Sequence, residues 1–298
     1  MTQKEAEPSR DPHNEARFKK STRIEDAEPD LYDPTKPRLG RRESEPHSAE
    51  ITYIHDVLTT NFPESRTTWD LHHYFKIDKG PLKGEEIDIR FDISFLKDFS
   101  IPHLIPSYDA SDYGGKVPDM VINVLSKSTW KTDLSENVDI AKNLEIPIYA
   151  IYSPYKVTSK IYHPPFLRVY LLNDDGSYRQ EELHNVTLKE DGTINKENVI
   201  DISEVVPLWL GLMQIDKSYV EDQPLFRLIF IDPSEEVLLP TRRQRDIKKV
   251  KEESQEEIKK VKEESQEEIK KVKEESQEEI TKLKKKLKKY KDQFGKLE

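Results

Sequence analysis

Hydrophobic positions in the first part of the central region follow first a helical and then a strand pattern. In SAEITYIHDVLTTNF, helical spacing places Ile51, Ile54, Val57 and Leu58 on one face, and Ser48 is the candidate N-cap. HHYFKID and EIDIRFDISFL alternate or cluster as strands do, and KGPLKG between them has turn chemistry. The pattern therefore predicts a helix followed by two strands that are joined by a turn.

A strand, a helix and another strand are predicted next along the chain. VPDMVINVLSKSTW, residues 117–130, begins as a nearly continuous apolar strand, which is typical of a strand covered on both faces. DLSENVDIAKNLEIP follows as a helix with Asp133 and Ser135 as candidate caps, and IPIYAIYS is another buried strand. This order over 117–152 predicts a βαβ unit with a right-handed crossover.

FLRVYLLNDDGSYRQEELH predicts a hairpin around Asn173–Gly176, because two apolar runs flank a turn-forming segment. Together with the preceding elements, the hairpin indicates an α/β core with a mixed sheet and helices.

The C-terminal region, 246–298, repeats with a period of 11 residues. VKEESQEEIKK occurs twice from Val250, and VKEESQEEI follows up to Ile280, so Val, Ser and Ile recur with 4-4-3 spacing. Eleven residues over three turns, about 3.67 per turn, predict a nearly straight helix, and heptad spacing follows Ile280. We expect a long charged helix that self-associates as a coiled coil; a solvated single helix is the alternative. Lysines crowd 282–291, which fits a solvated face, nucleic acid or an acidic partner.

Composition separates the chain into three regions. Hydrophobic residues make up 34% and charged residues 36% of its 298 positions, so much of the chain is not packed core. Residues 1–46 hold six prolines and few large apolar residues, which predicts a disordered tail before the core at 47–240.

The same composition excludes several classes of protein. The absence of cysteine excludes disulfides and thiol chemistry, and the net charge of −10 argues against a protein that coats nucleic acid. The chain has no apolar run of about 18 residues, so we expect a cytoplasmic protein without a membrane partner.

Acidic and amide side chains on the predicted strands are the candidates for chemistry. Asp88 and Asp92 share one face of EIDIRFDISFL, opposite an apolar face, and Asp119 and Asn123 share a face of the buried strand. If the strands are neighbours, Asp92, Asp119 and Asn123 converge, and Asp92 and Asp119 would be ligands of Mg²⁺. The alternative is structural: Asp92 is solvated, Asp119 caps a turn, and Asn123 pairs with backbone.

VPDMVINVLSKST and ENVDIAKNLEIPIYAIYSP resemble the core of the Uma-two family of restriction-endonuclease-like proteins, in the PD-(D/E)XK nuclease superfamily. The similarity covers roughly 85–250 and is most specific over 117–154. It implies a restriction-endonuclease-like mixed sheet with flanking helices, and Mg²⁺-dependent hydrolysis of DNA.

The resemblance also implies a site in which two of three key positions are substituted. The first acidic ligand falls on Asp92, the signature glutamate on Asn123, and the helical lysine at or near Asn137. Four charged residues are candidates to compensate: Asp119, Lys127, Lys131 and Lys142. We therefore expect either an endonuclease with impaired catalysis, or an inactive nuclease-fold module that binds or assembles through its C-terminal coiled coil. A purely structural protein is a third alternative.

Overall fold

Helix α1 (Glu45–Asn61) is the first element that the computed structural model describes. The structure describes residues 45–77, 79, 83–102, 104–157, 162–189, 191–220 and 223–295, so most of the predicted disordered tail lies outside it. The predicted apolar face of α1 is buried. The helix begins before Ser48, whose carbonyl accepts a hydrogen bond from Thr52 inside the helix, so the prediction of Ser48 as N-cap is wrong.

A seven-stranded mixed sheet forms the centre of the fold, in the order β3-β1-β2-β4-β5-β6-β7. Its strands are β1 (Arg66–Lys76), β2 (Glu86–Leu96), β3 (Tyr108–Asp109), β4 (Met120–Val124), β5 (Ile148–Ser153), β6 (Phe166–Leu172) and β7 (Tyr178–Leu183). The pairs β1–β3 and β4–β5 are parallel, and the other neighbours are antiparallel. The predicted α/β class and the β6–β7 hairpin are confirmed.

Two short helices connect the parallel strands β4 and β5, where one helix was predicted. They are α2 (Trp130–Asp133) and α3 (Glu136–Asn143). Ser135 occupies the N-cap position of α3, but its hydroxyl donates to the carbonyl of Lys131 and makes no capping bond. The predicted helix is thus interrupted near its start, and Ser135 does not act as a cap.

A second, antiparallel sheet has the order β11-β10-β9-β8. Its strands are β8 (Ile200–Asp201), β9 (Trp209–Val220), β10 (Gln223–Asp232) and β11 (Val237–Leu238). Apolar side chains of this sheet, of α1 and of strands β4 to β6 form one core cluster. A second cluster contains Trp130, Ile140 and residues of β1, β2, β4 and β5, so apolar side chains pack against the central sheet in two separate layers.

Strand β2 changes the core that it faces at Asp92. Ile89 and Phe91 belong to one cluster, whereas Ile93 and Phe95 belong to the other. The prediction of one continuous apolar face on β2 is therefore wrong. The pairing of β1 with β2 skips Asp70 and Asp92, and Asp70 has a positive φ of 48°, so the irregularity of the two strands lies at the same place.

Helix α4 (Arg242–Phe294) confirms the predicted long C-terminal helix, which begins four residues earlier than expected. It forms a unit separate from the part of the chain that ends at Thr241, and none of its described residues is buried. No helix within the described ranges is both long enough and apolar enough to cross a membrane.

Candidate functional site

A cavity of about 650 Å³ opens where β2 and β4 separate. β2 pairs with β4 only over Ile93–Phe95, opposite Met120–Ile122. From Glu86 to Phe91, β2 pairs with β1 alone. The gap is bordered by β2, by the segment that follows β4, and by α2 and α3. The polar residues that line it include Asp92, Asn123, Lys127, Asp133, Glu136 and Asn137.

Asp92 and Asn123 meet at this gap, as the sequence predicted. The backbone N–H of Asp92 donates to Asn123 Oδ1 at 3.2 Å. Asp92 Oδ2 accepts from the backbone N–H of Val124 at 2.7 Å and lies 3.3 Å from His47 Nε2. The Asp92 side chain is 24% exposed. Its carboxylate is therefore oriented by backbone and histidine while it still reaches the cavity.

Asp133 is the buried centre of the polar network behind Asp92. Its Oδ1 accepts from the amides of Asn123 at 2.9 Å and Asn137 at 3.0 Å, and its carbonyl accepts from the Tyr149 hydroxyl at 2.9 Å. The Asn123 amide also donates to Tyr149 Oη at 3.1 Å. The side-chain amides of Asn123 and Asn137 are thus both engaged inside the protein.

Burial raises the pKa of Asp133 from 3.8 to about 7, and the charge of Asp92 adds to the increase. Hydrogen bonds from Thr129, Asn123 and Asn137 oppose it by stabilising the carboxylate. Sequence reasoning assigned Asp133 only a capping role, whereas the structure places it at the end of α2 with its side chain in the site. The four-residue spacing between Asp133 and Asn137 was the available signal.

Asp119 lies apart from the other predicted site residues. It precedes β4, roughly 13 Å along the strand from Asn123 at about 3.3 Å per residue. Its Oδ1 lies 2.9 Å from Lys116 Nζ, and its Oδ2 accepts from the backbone N–H of Lys97 at 2.8 Å. Asp119 is not among the residues that line the cavity, so the structure does not bring it to Asp92.

The three lysines that the sequence offered as candidates are distributed unequally around the site. Among the described residues, Lys127 is the lysine that lines the cavity. The Lys131 ammonium lies 5.6 Å from the centroid of the Trp130 ring, and Lys142 is exposed on α3. The positively charged side chains that line the cavity are therefore Lys127 and Arg90, and the Arg90 guanidinium lies 3.2 Å from Asp70.

The side chains present fit a weakly held divalent cation. Across the described residues, no group of three or more His, Asp or Glu side chains has the arrangement of a metal site. Mg²⁺ commonly binds one or two carboxylates and keeps several waters, which the partly exposed Asp92 can satisfy as a single ligand. Asn123 Oδ1 already accepts the Asp92 N–H, so it adds little to such a site.

Fold and site together define a mixed α/β protein with an acidic, polar cavity where the strands β2 and β4 of its central sheet part. No protein-family model matches the chain, and no curated protein matches it. A solved structure from Anabaena variabilis, described as a "putative nuclease belonging to DUF820", is 16% identical and has a TM-score of 0.33. The match covers 49% of this chain and 70% of that one. The Uma-two resemblance therefore stays a prediction.

Asp133→Asn is expected to remove a pH dependence of stability. The folded state keeps the Asp133 proton up to about pH 7, whereas the unfolded chain loses it near 3.8. Stability from this group is therefore complete below pH 3.8 and declines as the pH rises towards 7, by up to about 1.4 kcal/mol per pH unit. Urea unfolding between pH 4.5 and 8.5 measures the slope. Asp88→Asn at the cavity rim is the control, and an unchanged slope in Asp133→Asn would contradict the assignment.

Proposed function

We propose that this cavity is an endonuclease-like centre with impaired catalysis, in which Asp92 holds Mg²⁺ and DNA is the substrate. The observation that carries the proposal is the contact between Asp92 and Asn123 at the point where β2 and β4 part. This position matches the site that the Uma-two resemblance implies.

Separate groups of the protein orient Asp92 and contact the DNA. The Val124 N–H and His47 orient the Asp92 carboxylate, and Asn123 holds the Asp92 backbone. Bound Mg²⁺ would lower the pKa of a water and neutralise charge on the phosphodiester. Lys127, on the exposed rim, would contact the DNA backbone. Catalysis is impaired because Asn123 and Asn137 supply no charge at the positions where the Uma-two resemblance implies a glutamate and a lysine.

Plasmid nicking in Mg²⁺ or Mn²⁺ tests the proposal. We expect slow nicking by the wild-type chain and a loss of about 10- to 100-fold in Asp92→Asn, because the isosteric amide removes the charge that holds the metal. Asp119→Asn is the matched control, since that carboxylate lies outside the cavity, and its nicking rate should equal the wild type. Equal rates in wild type and Asp92→Asn would refute the assignment.

A catalytically inactive nuclease-fold binding module is the second candidate. The closed amide network favours it, because Asn123 and Asn137 both donate to Asp133. Calorimetry with Mg²⁺ distinguishes the two: a binding heat that Asp92→Asn abolishes supports the endonuclease. Absence of that heat, together with absence of nicking, supports the inactive module.

A further inference from the structure

Helix α4 carries a long stripe of exposed apolar residues, which serines interrupt at regular intervals. Eleven large side chains between Ile247 and Phe294 are 44 to 75% exposed. At about 100° per residue, these positions and the repeat serines fall within a sector of about 120°. The 11-residue period keeps this stripe on one side of a nearly straight helix, about 80 Å long.

We propose that a second copy of this chain covers the stripe, with the two α4 helices parallel and in register. The stripe needs a partner of similar length. The other helices of the described chain have 17, 4 and 8 residues, so none of them can cover 53 residues. A second copy has the same 11-residue repeat, so its apolar residues and serines can face those of the first copy along the whole stripe.

Charges beside the stripe select the parallel orientation. Ile258 and Val261 occupy positions equivalent to a and d, and Glu257 and Lys262 flank them. In a parallel pair, each acidic residue beside the stripe of one helix faces a lysine of the other helix whose residue number is higher by five. The repeat produces four such pairs: Asp246–Lys251, Glu257–Lys262, Glu268–Lys273 and Glu279–Lys284.

In an antiparallel pair, these acidic residues would face acidic residues of the other copy, and the lysines would face lysines. The parallel pair has one adverse contact, between Lys286 and Lys291 of the two copies. Most of the remaining lysines of 282–291 lie away from the stripe and stay in water. The balance of charges therefore favours parallel packing.

The serines in the stripe restrict the register to shifts of zero or of whole 11-residue repeats. In the parallel pair, Ser254, Ser265 and Ser276 each face their counterpart, where two hydroxyls can hydrogen-bond to each other. A polar residue at a core position of a coiled coil disfavours registers that bury it against apolar neighbours. The serines thus weaken the interface locally but exclude shifts other than whole repeats, and among these the zero shift covers the full length of the stripe.

Cysteine cross-linking of the full-length chain tests the arrangement, because the natural sequence contains no cysteine. Ser254→Cys and Ser276→Cys should each form a same-position disulfide dimer on mild oxidation, at twice the 35.0 kDa chain mass. Glu256→Cys, on the opposite side of the helix, is the control and should remain mostly uncrosslinked. Cross-linking only when Ser254→Cys and Ser276→Cys are mixed would show an antiparallel pair and overturn the proposal.

Sedimentation equilibrium of the unmodified chain gives an independent result. We expect a dimer that dissociates in the variant Ile258→Asp/Ile269→Asp, with helical circular dichroism largely retained. A wild-type chain that sediments as a monomer would overturn the proposal. Neither measurement involves DNA or metal, so its outcome is separate from that of the nicking assay.

Discussion

Asn123→Glu combined with Asn137→Lys is expected to raise Mg²⁺-dependent nicking by about 100-fold. The glutamate would place a second carboxylate beside Asp92, where Mg²⁺ commonly takes one or two. The lysine would supply positive charge where negative charge develops on the phosphate. One such group raises the catalytic rate by about 100-fold or more. The two charges would also partly neutralise each other beside Asp133, which limits the cost of burying them.

The controls for this gain separate site chemistry from added charge. Asn143→Lys adds a lysine to the same helix, α3, but at a residue that does not line the cavity, so it should leave nicking unchanged. Each single substitution should recover less than the double variant, because each leaves one charge uncompensated. Thermal unfolding establishes that the double variant is folded. A folded double variant without any gain would argue that the cavity has no nuclease ancestry.

Arg227→Met is expected to cost about 3–5 kcal/mol of folding stability, because it leaves the Glu50 carboxylate buried without its partner. Glu50 on α1 has no exposed side-chain surface, and it accepts from Arg227 Nη2 at 2.8 Å and Nε at 3.1 Å. The Tyr152 hydroxyl donates to the same carboxylate at 3.1 Å. The Arg227 guanidinium also lies 4.1 Å from the centroid of the Tyr53 ring.

The double variant Glu50→Gln/Arg227→Met is the matched control for this pair. It removes both charges, so it should recover much of the stability that Arg227→Met loses. The midpoint of urea unfolding, measured for the wild type, both single variants and the double variant, gives the coupling energy. Equal stability of Arg227→Met and wild type would contradict a buried ion pair between α1 and β10.

This ion pair also matters for the candidate site. Helix α1 carries both Glu50 and His47, and His47 Nε2 lies near Asp92 Oδ2. Loosening the attachment of α1 to β10 should therefore disturb the orientation of Asp92 as well as stability. The double variant leaves no unpaired buried charge on α1, so it should disturb Asp92 less than Arg227→Met does.

Local patterns predicted most of the elements correctly. The apolar face of α1, the buried strand β4 and the β6–β7 hairpin followed from periodicity, because side-chain alternation directly reflects which face is buried. The interruption between α2 and α3 was missed, since Asp133 and Ser135 have the sequence character of caps but their side chains bond elsewhere. The change of face in β2 was missed because it occurs where the pairing with β1 is interrupted at Asp70 and Asp92, and strand pairing cannot be read from one strand alone.

The sequence by itself determined an α/β core, a long repetitive helix, and the expectation that Asp92 and Asn123 share a site. The first two features depend on periodicity, and the third depends on the face that each residue takes on its strand and on the Uma-two resemblance. Only the tertiary structure decided that Asp133 belongs to the site and that Asp119 lies apart from it. The reason is physical: strand pairing aligns Asp92 with Asn123, and helix packing buries Asp133 behind them. Neither effect leaves a periodic signal along the chain.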